Sequence, residues 1–238
     1  MSENKANNSC NKSGIGIFVM VGLIALGLLI SKGLVSIANQ DQYVTVKGLA
    51  ERDVRANKVV WPLPYKCVSN DIQKLYDEIE KNSYAILSFL KNGGITDGEI
   101  TLTAPAVTDR LAQSYVPENI KFRYQAEAVI TVVSPQVEKV IELMGRQVEL
   151  MKEGVIISNE YNYQTQFEYT ALNDIKPEMI EEATRNARAV AQKFAEDSDS
   201  KLGKIRQASQ GQFTISSDET TPQIKNIRVV TTVKYALE

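Results

Sequence analysis

Four charged residues crowd the stretch VTVKGLAERDVRANKVVWPL, residues 44–63: Glu51, Arg52, Asp53 and Arg55. Carboxylates beside guanidiniums can work as a paired acid–base site, or can form the solvated end of a hairpin. The remaining inventory favours the hairpin. The chain contains no histidine, so the commonest general base and the commonest metal ligand are both missing. Ser-His-Asp triads, Cys-His pairs and His-containing zinc sites are excluded. No Walker-type phosphate loop and no dinucleotide-binding glycine pattern follows a strand.

Three other groups could be mistaken for chemistry. Asp197 and Asp199 in EDSDSKLG suggest calcium, but Lys201 takes the fifth position and no glutamate falls at the twelfth, so the spacing fails. Glu178, Glu181 and Glu182 lie close together, yet Glu181 and Arg185 are four apart and read as a partly neutralised helix face. Cys67 alternates with Val59, Trp61, Leu63 and Tyr65, which makes it a core thiol rather than a nucleophile. We expect no catalytic residue, no metal and no cofactor. A row of tyrosines, Tyr161, Tyr163 and Tyr169, could line a ligand groove or a subunit contact, or lie in the core under a helix.

The elements that must position these residues follow from hydrophobic period. Residues 42–50 and 54–68 read as strands, the second burying its odd positions. Pro62 and Pro64 lack N–H groups on one side of that strand, which implies an edge or a bulge there. Ile72, Leu75, Tyr76, Ile79, Ile86, Leu87 and Leu90 form a helical stripe, capped by Ser69, Asn70 or Asp71 and ended by Gly93 and Gly94. Strands follow at 99–107 and 122–133, separated by a polar loop containing Pro117. Ser134-Pro135 opens a second helix reaching about Glu153, with Val137, Val140, Ile141, Met144, Val148 and Met151 inward. VIISNEYNYQTQFEYTAL, residues 155–172, is the clearest strand by alternation. A third helix, from about Pro177 to Glu196, carries Ile180, Ala183, Ala187, Val190, Ala191 and Phe194 inward. Its alanines permit close approach. Strands at 204–216 and 226–235 close the chain. The order ββαββαβαββ predicts an α+β fold with three helices and a mainly antiparallel sheet.

The first 40 residues differ from the rest. Gly14 to Ile30 is an uncharged apolar run, and past Lys32 it continues to Ala38. Through Ala38 it reaches about 25 residues, long enough for a tilted membrane helix. Ser36 and Ala38 also fit a signal-peptide cleavage site. The length favours an anchor. We expect a cytoplasmic tail at 1–13, a transmembrane anchor (or signal peptide) at 14–38, and an extracytoplasmic domain at 39–238. Lys5 and Lys12 keep the N-terminus in the cytosol, giving a single-pass inner-membrane protein. Cys10 and Cys67 would then lie on opposite sides of the membrane and cannot pair within one chain. A net charge of −2 gives no reason to expect nucleic acid.

Three stretches together resemble the SIMPL-domain family, formerly domain of unknown function 541, of bacterial envelopes. They are VTVKGLAERDVRANKVVWPL, YQAEAVITVVSPQVEKVIELM and EEATRNARAVAQKFAEDSDSKLGKIRQASQG. The likeness spans about residues 42–238, departing at EDSDSKLGKI, where the family has a more apolar helix end. It implies a periplasmic protein without established enzyme activity, linked in some members to oxidative-stress defence. Some members assemble into ring-like or channel-like oligomers. The expectation is a non-enzymatic, membrane-anchored, homo-oligomeric envelope scaffold. The alternative is a small-ligand or peptide-binding module using the Tyr161–Tyr169 face.

Overall fold

The computed structural model describes residues 10–39, 42–113 and 119–238. Most of the expected cytoplasmic tail, residues 40–41 and Pro117 lie outside the described residues. The elements are α1 (Cys10–Asn39), β1 (Tyr43–Arg55), β2 (Lys58–Ser69), α2 (Ile72–Asn92), β3 (Ile100–Leu102), β4 (Ala106–Asp109), β5 (Tyr124–Ser134), α3 (Val137–Gly145), α4 (Val148–Lys152), β6 (Gln166–Glu168), α5 (Leu172–Asp197), β7 (Leu202–Gln210), β8 (Thr214–Ser216) and β9 (Ile224–Leu237). The fold is α+β with antiparallel pairing, as expected. Two points are corrected. Among the described residues there are two sheets, and the expected three helices become four α-helices after α1. The expected order holds otherwise, with three elements divided: β3 from β4, α3 from α4, and β7 from β8.

Helix α1 has described side chains at Gly16 and at 18–32, all exposed. Among the described residues no helix is long and apolar enough to cross a membrane.

The chain divides into two compact units. The first comprises residues 1–50, 178–213 and 229–238. Within it, α5 buries Met179, Ala183, Ala187, Ala191 and Ala195, each four residues from the next. This stripe packs on Val46 of β1 and on Val233 and Tyr235 of β9. The alanines bring the helix backbone against Gly48. A Cβ at Gly48 would stand 2.5 Å from the Ala187 nitrogen, and closer still to the Ala183 carbonyl oxygen. Only glycine fits there. The expected inner stripe is corrected at Val190 and Phe194, which are exposed. Burial at a strict spacing of four follows a helix that crosses its sheet and touches it along a narrow line of small residues.

The second unit comprises residues 51–177 and 214–228. Its sheet has the order β3-β5-β2-β6, with β4 also on β5. The odd residues of β2, from Val59 to Cys67, are all buried, as their alternation predicts. They meet Ala126, Ala128, Ile130 and Val132 of β5 under Leu75, Ile79, Ile86, Phe89 and Leu90 of α2; the expected stripe is corrected at Tyr76, which is exposed. Tyr65 and Ser83 share a hydrogen bond of 2.6 Å, which ties β2 to α2. Asp71 caps α2 by accepting from the Gln73 N–H at 2.8 Å.

The two prolines behave as their missing donors require. Thr131 and Val129 of β5 stand opposite Pro62 and Pro64. On the other side, β6 pairs only with Lys58–Val60, and contact resumes where the Pro64 carbonyl accepts from the Ser158 N–H at 2.7 Å. A residue's N and C=O point to the same side of a strand, so the missing donors face the gap in the ladder. β2 is therefore an interior strand with a local interruption, not an edge.

Three expected elements are corrected here. The strand at 99–107 breaks at 103–105, where Pro105 cannot donate to a ladder. The second helix breaks after Gly145, a poor helix former. The break re-phases the chain, so Leu150 is buried while Val148 and Met151 are exposed. Ser134 is not the cap of α3. It ends β5, donates to Glu99 Oε1 at 2.5 Å and accepts from the Gln136 N–H at 3.0 Å. The third correction is the largest. Of residues 155–172 only Gln166–Glu168 form a strand, with one bridge from Ile157 to Tyr65, and Leu172 already starts α5. Gly154, at φ +84°, turns the chain out of α4.

Candidate functional site

The charged cluster at 51–55 is not a hairpin end. β1 runs unbroken through Arg55, and the turn falls at Ala56 and Asn57. β1 pairs with β9 while β2 pairs with β5 and β6, so the turn passes the chain from one sheet to the other. The strand persists because its charges find partners. Glu51 pairs with Arg228 at 3.4 Å, Asp53 accepts from Asn226 at 2.8 Å, and Arg55 meets Glu138 at 2.7 Å. Glu51, Asp53 and Arg55 are thus engaged in cross-strand and surface pairing, and Asp53 also borders a shallow pocket of about 350 Å³ with Ser216, Asp218 and Asn226.

The tyrosines do not share a strand face. Tyr161 is 88% exposed, while Tyr163 and Tyr169 are half-buried. Tyr163 donates to Glu127, which raises its phenol pKa. Lys66 joins the same group on the open face of the sheet, pairing with Glu160 and lying 3.8 Å from Glu127. The hydrogen bond to Glu160 raises the Lys66 pKa. The result is a clasp holding an irregular segment on β2 and β5.

Cys67 is buried, and burial pushes its thiol up to about 11. A thiol that stays protonated at neutral pH is a weak nucleophile. Among the described residues no group of three or more His, Cys, Asp or Glu is placed to hold a metal.

A concave site does exist in the first unit, where sequence reasoning did not look. A groove of about 960 Å³ runs between α5 and the start of β7. Its floor includes Leu202, Ile205 and Tyr235. Its walls carry Arg185, Arg188, Lys201 and Lys204. Glu181 also lines it and pairs with Arg185 at 2.7 Å, as the spacing of four predicts. The segment dismissed as a calcium loop thus supplies one wall. The signal available in the sequence was cations three apart twice over, at 185 and 188 and at 201 and 204.

The SIMPL sequence model, described as a protein of unknown function (DUF541), matches residues 44–235. The chain belongs to the SIMPL family. That match takes in Gly48, the alanine stripe of α5 and all but the end residues of the strands of both sheets. No curated protein matches the chain. The groove lies wholly inside the matched SIMPL region.

Proposed function

We propose that the protein is a non-enzymatic, membrane-anchored envelope scaffold that associates with copies of itself. The observation carrying the anchor is that the described apolar side chains of α1, at 18–32, are uncovered, with Phe18 81% and Leu29 68% exposed. Apolar surface of that extent needs a cover. The described side chains alone are too few for a span. The uncharged run from Gly14 to Ile30 and its continuation to Ala38 supply the length. The cytosolic N-terminus and the periplasmic domain follow from the flanking lysines.

Self-association draws on α4 and the segment after it, where Val148, Met151, Ile156 and Tyr161 are exposed. Large exposed apolar side chains concentrated in one stretch favour a protein contact. A link to oxidative-stress defence would not run through Cys67, whose buried thiol resists ionisation. Alkaline carbonate extraction of membranes, with N-terminal sequencing of the retained protein, tests the anchor. Light scattering of the full chain in detergent, with and without Met151→Asp and Tyr161→Asp, tests the assembly. A carbonate-soluble protein, or a strict monomer at high concentration, contradicts the proposal.

A further inference from the structure

One helix covers two strands. An α-helix is about 10 Å across and strands lie about 4.8 Å apart, so α5 can shield β1 and β9 but not a third neighbour. The three strands lie in the order β1-β9-β7, and α5 packs on the first two. On β7, Ala208 stands opposite Val233 and Ile205 opposite Tyr235. Directly opposed residues share a sheet face. Val233 and Tyr235 are buried under α5, whereas Ala208 is exposed and Ile205 is 52% exposed. Leu202, at the start of β7, still packs against this core, but from Ile205 onward the inner face of β7 is uncovered, and the groove is the space a second covering element would fill.

Charge selects the occupant. The groove carries four cations against two carboxylates in a chain whose net charge is −2. Glu181 is taken by Arg185, and Glu196 accepts from Gln192 at 3.4 Å. Arg188, Lys201 and Lys204 have no carboxylate partner among the described residues. An apolar floor beside unpaired cations suits a molecule with a hydrocarbon part and an anionic end. A free anion would leave the floor wet, and a neutral apolar ligand would leave the cations unused.

We infer that the groove between α5 and β7 binds an anionic phospholipid, its acyl chain on Leu202 and Ile205 and its phosphate against Arg188 and Lys204. The membrane reading enters only as the source of the lipid. The test is therefore made in detergent solution, where failure of the anchor does not affect it.

Native mass spectrometry of the full chain in neutral detergent measures binding of phosphatidylglycerol, of phosphatidylcholine with the same chains, and of glycerol phosphate. Phosphatidylglycerol is expected to bind in preference to both. Each cation near a lipid phosphate contributes about a fivefold factor, so Arg188→Glu with Lys204→Glu should weaken phosphatidylglycerol at least about twentyfold. Ile205→Trp, at a half-exposed position, should weaken both lipids and leave the oligomeric state unchanged. Equal binding of glycerol phosphate overturns the lipid claim in favour of a simple anion site. Unchanged phosphatidylglycerol binding in the charge variant places the lipid elsewhere and also overturns it. A change of oligomeric state in Ile205→Trp would make the groove a contact between protein chains instead.

Discussion

Replacing Gly48 with alanine puts one methyl group between β1 and the backbone of α5. The new Cβ would lie 2.5 Å from the Ala187 nitrogen and 2.8 Å from the Ala187 Cβ, with the Ala183 carbonyl oxygen nearer still. Ordinary contact begins near 3.4 Å, so helix and strand must separate by about 1 Å or more. The separation opens the line from Ala183 through Ala191, which has no long side chain able to refill it. Overpacking typically costs about 1–3 kcal/mol, and contact with rigid backbone on both sides puts this case at about 3 kcal/mol or above. Trimming the neighbour does not help. Ala187→Gly removes only the Cβ contact and leaves the nitrogen and the Ala183 oxygen in place, so Gly48→Ala with Ala187→Gly should remain destabilised. Urea unfolding of the full chain in detergent, followed by circular dichroism, measures both. A loss below about 0.5 kcal/mol for Gly48→Ala would refute the packing described for the first unit.

Leu150→Ala should cost about 2–5 kcal/mol while Met151→Ala should cost under about 0.5, because the break after Gly145 buries the first and exposes the second; the reverse order in urea melts would restore the continuous helix. Burial alone would raise the Glu99 pKa, but hydrogen bonds from Ser134, Thr96 and Gln136 outweigh it and hold the carboxyl at about 2. A folded pKa below the unfolded one stabilises the protein above the ordinary glutamate value near 4.5, and that stability is lost as pH falls from there through about 2. Glu99→Gln should therefore show a shallower acid-side loss of stability than the parent, and parallel curves would count against the network. Thr231 buries a hydroxyl that has no hydrogen-bond partner among the described residues, so Thr231→Val should be neutral or stabilising by up to about 1 kcal/mol; a clear loss in thermal melts would mean the hydroxyl is satisfied.

Alternation made the long, evenly buried strands legible. The odd positions of β2 and the run Ile227 to Tyr235 of β9 are buried as the pattern requires, because two-residue periodicity is a direct image of one covered face. The same rule misled at 155–172. There the polar and aromatic residues alternate, but only Phe167 among the aromatic ones is buried. The segment is held by the Tyr163–Glu127 hydrogen bond and the Lys66–Glu160 pair, contacts made with β2 and β5 that no local period encodes. Divided elements were missed for a related reason. Gly145 and Pro105 were visible, yet a lone glycine or proline marks a break only when the neighbouring strand or helix makes one affordable. The charged run at 51–55 reads as a turn in isolation and becomes a strand because Arg228 and Asn226 stand opposite it. The groove was illegible because it results from a mismatch of widths, one helix over three strands, and not from any residue pattern.

The central claim, that α1 holds an exported SIMPL domain at the membrane, is tested most directly by protease accessibility in intact spheroplasts. Protease added outside should remove the domain epitope at the C-terminal end while an N-terminal tag stays protected and sediments with the membrane. A domain that resists digestion until the cells are lysed, or an N-terminal tag lost with it, would contradict the account.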